Sequence, residues 1–196
     1  WTCFYDVINR CNLVIDRAPK VAEKDPLYLE SDVRATIAEV TALRALSYFY
    51  LVRAFKDVPY YTGVITTDDQ RLDYPATDGD QIIRTLLSDL NAVLPDALQI
   101  YPMKNGRDIS YGRITRNAIY ALMADMSLWI GDFENAALYS QKVIDDKLDM
   151  FKREGLTYIL QLSNNYPILP DNTSTYGKYS AFNETFGSDG GGLESI

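Results

Sequence analysis

Residues 44–61 read RALSYFYLVRAFKDVPYY and hold six aromatic side chains, two arginines and a proline that the interior of a helix would not tolerate. Such a stretch could be an aromatic binding face, a membrane-seeking segment or the apolar side of a packed helix. The residues before it favour the packed helix. From Ser31 or Asp32, each a good N-cap, to Lys56 the chain predicts one helix of about 25 residues, roughly 37 Å long.

This predicted helix carries two apolar stripes. The first begins with alanines and ends with bulky side chains, and its members are Ala35, Ala38, Ala42, Ala45, Phe49 and Val52. The second contains Val33, Ile37, Val40, Leu43, Leu46 and Tyr50. Two stripes on one helix require neighbours on two sides, as in a stacked array of helices. We therefore expect four aromatic residues to lie in the core rather than on a ligand-stacking face: Tyr48, Phe49, Tyr50 and Phe55.

Charged residues interrupt the apolar pattern at two places. Arg44 falls on the second stripe, and Asp125 lies between Leu122 and Trp129 of a later predicted helix. Because an unpaired buried charge is very costly, we expect Arg44, Asp125 and Asp89 to be buried structural charges, with Arg44 meeting either Asp125 or Asp89. The alternative is an arginine that reaches water from the edge of its stripe.

The other predicted helices complete an all-α pattern. One covers about Thr2 to Arg17, and another begins near Asp78 or Asp80. Residues 114–146, ITRNAIYALMADMSLWIGDFENAALYSQKVIDD, predict two helices joined by a tight turn at Gly131 and Asp132, which resembles one tetratricopeptide repeat. The inner side of the second of these helices is predicted to hold Phe133, Ala136, Ala137, Ser140, Val143 and Ile144. The fold class is thus stacked antiparallel helix pairs, a tetratricopeptide-like α–α superhelix with long loops.

Composition limits the function. The net charge of −8 argues against nucleic acid and anionic lipid, and favours neutral or cationic ligands or a protein partner. No apolar run is long enough to cross a bilayer, so no membrane insertion by this chain is expected. Histidine, the commonest general base and metal ligand, does not occur. Carboxylate pairs fall in predicted loops or at helix ends, so no catalytic residue, metal or cofactor is predicted, and the chain is not expected to be an enzyme.

The last forty residues are rich in glycine, serine, asparagine and tyrosine. Tyr166, Tyr176 and Tyr179 are candidates to stack on sugar rings. They could equally anchor a long loop or cover a core. We expect a helical domain over residues 1–155 and a loop-rich segment over 156–196, the start of a further part of a longer protein.

Four blocks of sequence carry a family resemblance. They are W-x3-Y-x2-I-x2-C-N from Trp1, AEV-x2-LRALSYFYLVRAFKDVPYY, LLSDLNAVLP and GRITRNAIYALMADMSLWIGDFENAALYSQKVI. Their order and spacing over about residues 1–155 resemble the SusD/RagB family of outer-membrane lipoproteins, which capture glycans and pass them to a TonB-dependent transporter. The sequence departs from the family pattern at Lys56, where glycine is frequent before D-V-P, and at Asp125, where arginine is common.

The resemblance implies a function and a location. It implies non-catalytic glycan or nutrient capture at the cell surface, with oligosaccharide as ligand, a SusC-like TonB-dependent transporter as partner and an outer-membrane lipoprotein as the parent. This chain would carry mainly the helical scaffold, and no ligand residue is carried over by motif. The alternative function is a helical-repeat adaptor that binds a peptide or protein.

Overall fold

A computed structural model of the protein describes residues 1–67, 70, 73–102, 109–110 and 112–153, and the described residues form five α-helices. These are α1 (Thr2–Ala22), α2 (Glu30–Phe55), α3 (Gly79–Val93), α4 (Arg116–Trp129) and α5 (Phe133–Arg153). A short antiparallel pair, β1 (Val58–Pro59) and β2 (Ala76–Thr77), closes the loop between α2 and α3. The predicted all-α architecture of stacked helix pairs is confirmed.

Helix α2 forms the centre of the stack. Its first turn is closed by the Asp32 carboxylate, which accepts from the backbone N–H of Leu29 at 3.2 Å. It packs against α1 over its length and also contacts α3 and α4. The expectation that α2 has neighbours on more than one side is therefore correct.

The alanine stripe is the side of α2 that makes the core. Ala38, Ala42 and Ala45 are fully buried, which lets the backbones of neighbouring helices come close. Tyr48 and Phe49 follow at 0% and 2% exposure. Fully burying one such large apolar side chain contributes roughly 1.5–3 kcal/mol to stability.

The second stripe is less buried than predicted. Val33 is buried, but Leu43 is 38% exposed and Tyr50 51% exposed, and Phe55 beyond it is 50% exposed. The prediction of a core position is thus wrong for Tyr50 and Phe55. Each lies at the margin of the α1–α2 contact, where one side of its ring meets another ring and the other side meets solvent.

The α4–α5 pair is the tetratricopeptide-like unit. Gly131 takes the left-handed conformation at φ +76°, and Asp132 accepts from the backbone N–H of Asn135 to cap α5. Of the predicted inner face of α5, Ala136 is buried, but Phe133 is 70% exposed and Ala137 and Ser140 are exposed as well. Tyr139, which was not predicted there, packs against the core. Tyr139 also stacks on Tyr120 at 6.4 Å.

Helix α1 runs one turn further than the sequence predicts. It continues through Pro19 to Ala22, and the Pro19 carbonyl accepts from the N–H of Glu23 at 3.3 Å. Pro19 has no N–H to donate to the carbonyl of Ile15 and its ring crowds that carbonyl, so the final turn of α1 forms at a cost.

Candidate functional site

Arg44 lies in a buried polar cluster that joins three helices. It is 7% exposed, and its Nη2 donates to Asp89 Oδ2 of α3 at 3.1 Å. Its Nη1 donates to Asn12 Oδ1 of α1 at 3.0 Å. Of the two acids expected to meet Arg44, the structure thus brings Asp89 to it, with the Asp89 side chain 34% exposed.

Asp125 does not belong to this cluster, and the expectation that it is buried is wrong. Its side chain is 57% exposed and faces Arg53 of α2 at 3.4 Å. Arg53 in turn lies over the rings of Phe49 and Trp129, at 5.3 and 5.7 Å from their centroids. Asp125 therefore pairs with a half-exposed arginine that lies over an aromatic pair.

The three tyrosines predicted to stack on sugar, Tyr166, Tyr176 and Tyr179, lie outside the described residues, as does the segment 156–196. A candidate site in the described part of the chain has to be sought elsewhere. The loop after α2 is the strongest place, because side chains from two helices fasten its backbone.

Residues 59–65, here called the strap, begin with two tyrosine contacts. The Tyr5 hydroxyl donates to the carbonyl of Pro59 at 2.7 Å. The Tyr48 hydroxyl donates to the carbonyl of Tyr61 at 2.7 Å and accepts from the N–H of Tyr61 at 3.0 Å. One buried phenol thus satisfies both backbone groups of Tyr61, which otherwise would lack partners in a loop.

Two asparagines of α1 hold the rest of the strap. Asn12 Nδ2 donates to the carbonyl of Gly63 at 2.9 Å. Asn9 donates to the carbonyl of Ile65 at 2.8 Å and accepts from its N–H at 2.9 Å. Every second residue of the strap is therefore bonded through its backbone to a side chain of α1 or α2, which fixes the strap in one register.

A row of aromatic rings borders the strap. We call it the ring row, and its members in spatial order are Phe55, Trp1, Tyr5, Tyr61 and Tyr74. Successive ring centroids are 4.8, 5.5, 5.8 and 5.0 Å apart. Trp1, Phe55 and Tyr74 are 52%, 50% and 39% exposed. The row is thus a partly exposed aromatic surface whose rings support one another.

Two tyrosines of the row, Tyr5 and Tyr61, have pKa values raised above the ordinary value for tyrosine. Burial, together with the nearby Tyr61, raises the pKa of Tyr5 to about 12. Burial also raises the pKa of Tyr61, and Tyr74 and the Asp6 carboxylate add to the effect. The Tyr5 hydroxyl is already bonded to Pro59, so the row would offer the hydroxyls of Tyr61 and Tyr74 beside the Asp6 carboxylate, a set that can donate to and accept from the hydroxyl groups of a neutral ligand.

A groove lies between the C-terminal half of α1 and the start of α2. This groove has a volume of about 530 Å³ and is lined by Val14, Arg17, Ala18, Val21, Asp25, Leu27, Tyr28 and Thr36. Its Tyr28 hydroxyl already donates to Thr36 at 2.9 Å. Apart from the charged Arg17 and Asp25 and the Tyr28–Thr36 hydroxyl pair, the groove is lined by apolar side chains, which suit it less well to a hydroxylated ligand than the ring row.

Neither a group of metal ligands nor a membrane-spanning helix occurs among the described residues. Among them, no three cysteine, aspartate or glutamate side chains are grouped so that they could hold a metal ion. None of the described helices combines the length and the apolar character that a membrane span requires.

The sequence did not reveal the ring row. Its members come from three separated segments, and Phe55 was assigned to the core with the rest of α2. The available signal was the i, i+4 spacing of Trp1 and Tyr5, which places both rings on one side of α1. Tyr61 and Tyr74 reach that side of α1 through the fold of the loop between α2 and α3, which the sequence pattern does not show.

Comparison with known proteins gives consistent results in sequence and in fold. No protein-family model matches the chain. A SusD-like protein of Formosa agariphila is 31% identical over 102 residues, covering 52% of this chain and 18% of that protein. A second SusD-like protein of the same organism is 25% identical over 142 residues, covering 71% and 25%. The chain thus spans about a fifth to a quarter of the length of these relatives.

Solved structures extend the match. A SusD superfamily protein of Bacteroides thetaiotaomicron superimposes with a TM-score of 0.68 at 26% identity, covering 91% of this chain and 40% of that one. A laminarin-binding SusD-like protein superimposes with a TM-score of 0.63 at 29% identity, covering 73% and 29%. Sequence and helical fold agree: over the residues matched, the chain is similar to SusD-like proteins in both.

Proposed function

We propose that the protein captures glycans without cleaving them. The observation that carries this proposal is the ring row, an exposed aromatic surface on a scaffold similar to that of a laminarin-binding SusD-like protein. Aromatic rings combine a large apolar face with a wet edge, which suits the alternation of C–H faces and hydroxyl groups on a sugar ring.

The charges around the row favour a neutral glycan. The chain has a net charge of −8, and the Asp6 carboxylate lies close enough to Tyr61 to raise its pKa. A polyanionic glycan would be repelled by such a surface, whereas a neutral one can bond to the carboxylate and the tyrosine hydroxyls. Stacking would supply affinity and these polar groups would orient the sugar.

The division of the chain is part of the same proposal. The helical domain, residues 1–155, would act as scaffold and carry the ring row. The loop-rich segment 156–196 would add contacts through Tyr166, Tyr176 and Tyr179. The proposed partner is a SusC-like TonB-dependent transporter at the outer membrane, which the family resemblance supports.

Electrophoresis of the native full-length protein through gels that contain a polysaccharide tests glycan capture. Laminarin, amylopectin and xylan serve as neutral ligands, and alginate as an anionic one. We expect retardation by at least one neutral polysaccharide, none by alginate, and no shortening of the bound chains after incubation. Free mobility in every gel, or shortened chains, would contradict the proposal.

The transporter partnership needs a separate test. Affinity-tagged full-length protein, isolated from mild detergent extracts of its native membranes, should retain a β-barrel transporter in a near-equal amount. Recovery of the tagged protein alone would argue against a stable complex and leave glycan capture to the first experiment.

A further inference from the structure

We propose that Asn12, oriented by Arg44, is a positioning residue for the ring row. It holds the strap at Gly63, so that the Tyr61 ring remains stacked between Tyr5 and Tyr74. The inference rests on the proposed function, in which the ring row is the glycan-binding surface. Asn12 itself is 2% exposed and cannot reach a glycan.

The orientation of the Asn12 amide follows from its neighbours. A guanidinium can only donate hydrogen bonds, so the end of the amide that faces Arg44 has to be the oxygen. The 3.0 Å contact from Arg44 Nη1 to Oδ1 therefore turns Nδ2 toward the strap, where it donates to the Gly63 carbonyl at 2.9 Å. With Arg44 in place, the reversed amide would set two donors against each other.

Arg44 is itself held by α3. Its Nη2 contact with Asp89 Oδ2 at 3.1 Å uses a second edge of the guanidinium, and the residue is 7% exposed. A connected series of polar contacts thus runs from α3 through α2 and α1 to the strap. Within the described part of the chain Arg44 Nε has no hydrogen-bond partner, and reversing the Asn12 amide would leave further buried groups unsatisfied, so the observed arrangement is favoured.

Gly63 lies midway along the strap between two residues whose backbones are also bonded to side chains of α1 or α2. Tyr61 is bonded to Tyr48 on one side, and Ile65 is bonded to Asn9 on the other. The Tyr61 ring lies 5.8 Å from that of Tyr5 and is nearly parallel to it, with an interplanar angle of 10°. Releasing Gly63 would free the middle of the strap and loosen Tyr61, and a looser surface has to be ordered when the glycan binds.

The substitution Asn12→Asp tests the inference with the smallest change of shape. A carboxylate keeps an acceptor for Arg44, which then faces two carboxylates because Asp89 is already its partner, and it replaces the donor to Gly63 with a second oxygen facing a carbonyl. In the full-length protein we expect the affinity for the polysaccharide that the wild type retains to fall about three- to tenfold, the cost of reordering one loop. The amide hydrogens of Tyr61 and Ile65, which Asn12 does not touch, should exchange about tenfold faster.

Asn91→Asp is the matched control. Asn91 also donates through its amide, to the Leu87 carbonyl at 3.0 Å, but it lies on α3 beside Tyr139. The control adds the same negative charge and should leave both the affinity and the exchange of the strap amides unchanged. Should Asn12→Asp not fold, Asn9→Ala releases the strap at Ile65 from a half-buried position and is expected to produce the same loss of affinity.

The outcomes separate the two proposals. Loss of affinity with unchanged exchange at Tyr61 and Ile65 would overturn the positioning role, as would faster exchange with unchanged affinity. If the wild type binds none of the polysaccharides, glycan capture fails. In that case the exchange measurement still supports or overturns the anchoring of the strap by Asn12.

Discussion

Arg44 Nη2 lies 3.1 Å from Asp89 Oδ2, and this ion pair joins the middle of α2 to α3. The arginine side chain is 9% exposed and the aspartate side chain 34%, so the charge of the arginine is much more deeply buried than that of its partner. The two members of the pair therefore differ in what their removal would cost.

Removing Asp89 should destabilise the protein. Asp89→Ala leaves a buried guanidinium with Asn12 as its remaining described hydrogen-bond partner, and we expect a loss of about 1–3 kcal/mol, reduced from the value for a fully buried pair because Asp89 is partly solvated. Urea denaturation followed by circular dichroism measures it. Asp96→Ala, which breaks an exposed pair with Arg34 at 3.1 Å, is the control and should cost less than about 1 kcal/mol. Equal losses in both variants would show that burial of Arg44 carries no special cost.

Replacing Lys56 with glycine should stabilise the protein. It terminates α2 with φ 65° and ψ −84°, in a region that is strained for any residue with a Cβ. Lys56→Gly is expected to raise the free energy of unfolding by about 0.5–1.5 kcal/mol, since relief of strain outweighs the added freedom of the unfolded chain. The departure from the family pattern seen in the sequence at Lys56 thus has a backbone cost.

Gly131→Ala is the converse of this change. Gly131 has φ +76° and nothing within 4 Å of where a Cβ would be, so only the backbone conformation opposes a side chain. The free energy of unfolding of the Gly131→Ala variant should be lower than that of the wild type by about 1 kcal/mol.

For Lys56→Gly, a decrease in stability would contradict the prediction, because it would mean that the lysine side chain stabilises the fold by more than its strained backbone destabilises it.

Alkaline pH should unfold the protein through its buried tyrosines. Burial raises the pKa of Tyr5 and that of Tyr101 to about 12, from the ordinary tyrosine value of 10.0. A raised pKa means that the folded state keeps protons which the unfolded state releases, so the stabilisation is complete below about pH 10 and is lost as the pH rises toward 12. Urea midpoints across this range, with tyrosinate absorbance recorded in parallel, measure the effect.

Tyr101→Phe provides the control for the alkaline prediction. The substitution removes one ionising group together with its hydrogen bond to the Ile114 carbonyl at 2.8 Å. The variant should be less stable at neutral pH and should lose stability less steeply above about pH 10. A wild-type midpoint that stays constant up to pH 12 would contradict the prediction.

The helical fold could be predicted because its signals are local. The spacing of Ala38, Ala42 and Ala45 identifies the side of α2 that other helices approach, and the Gly131–Asp132 turn identifies the α4–α5 pair. Both depend on residues within one or two turns of each other. The pairing of Arg44 with an acid followed from the cost of a buried charge rather than from spacing.

The site could not be predicted because it depends on where separate segments meet. Tyr50 and Phe55 satisfy the apolar period of α2, yet they lie where α1 covers only one side of each ring, and periodicity does not show how far a neighbour extends. Asp125 likewise fits an apolar pattern on α4 but faces solvent and Arg53. The backbone of the strap is hydrogen-bonded by Asn9 and Asn12, and the sequence of the strap has no apolar periodicity that would predict these contacts.

The central claim is that the glycan binds on the ring row. Isothermal titration tests it most directly, using the full-length protein and the polysaccharide that retards it in gels, and comparing the variants Tyr74→Ala and Phe133→Ala. Tyr74 is the last member of the ring row. Phe133 is also an aromatic residue, 70% exposed, but it lies on α5 and does not belong to the row, so its substitution by alanine is the control. Loss of one stacked ring should weaken binding about tenfold, equivalent to roughly 1.4 kcal/mol, in Tyr74→Ala and leave Phe133→Ala at the wild-type affinity. Wild-type affinity in Tyr74→Ala, or an equal loss in both variants, would show that the glycan is not held on the ring row.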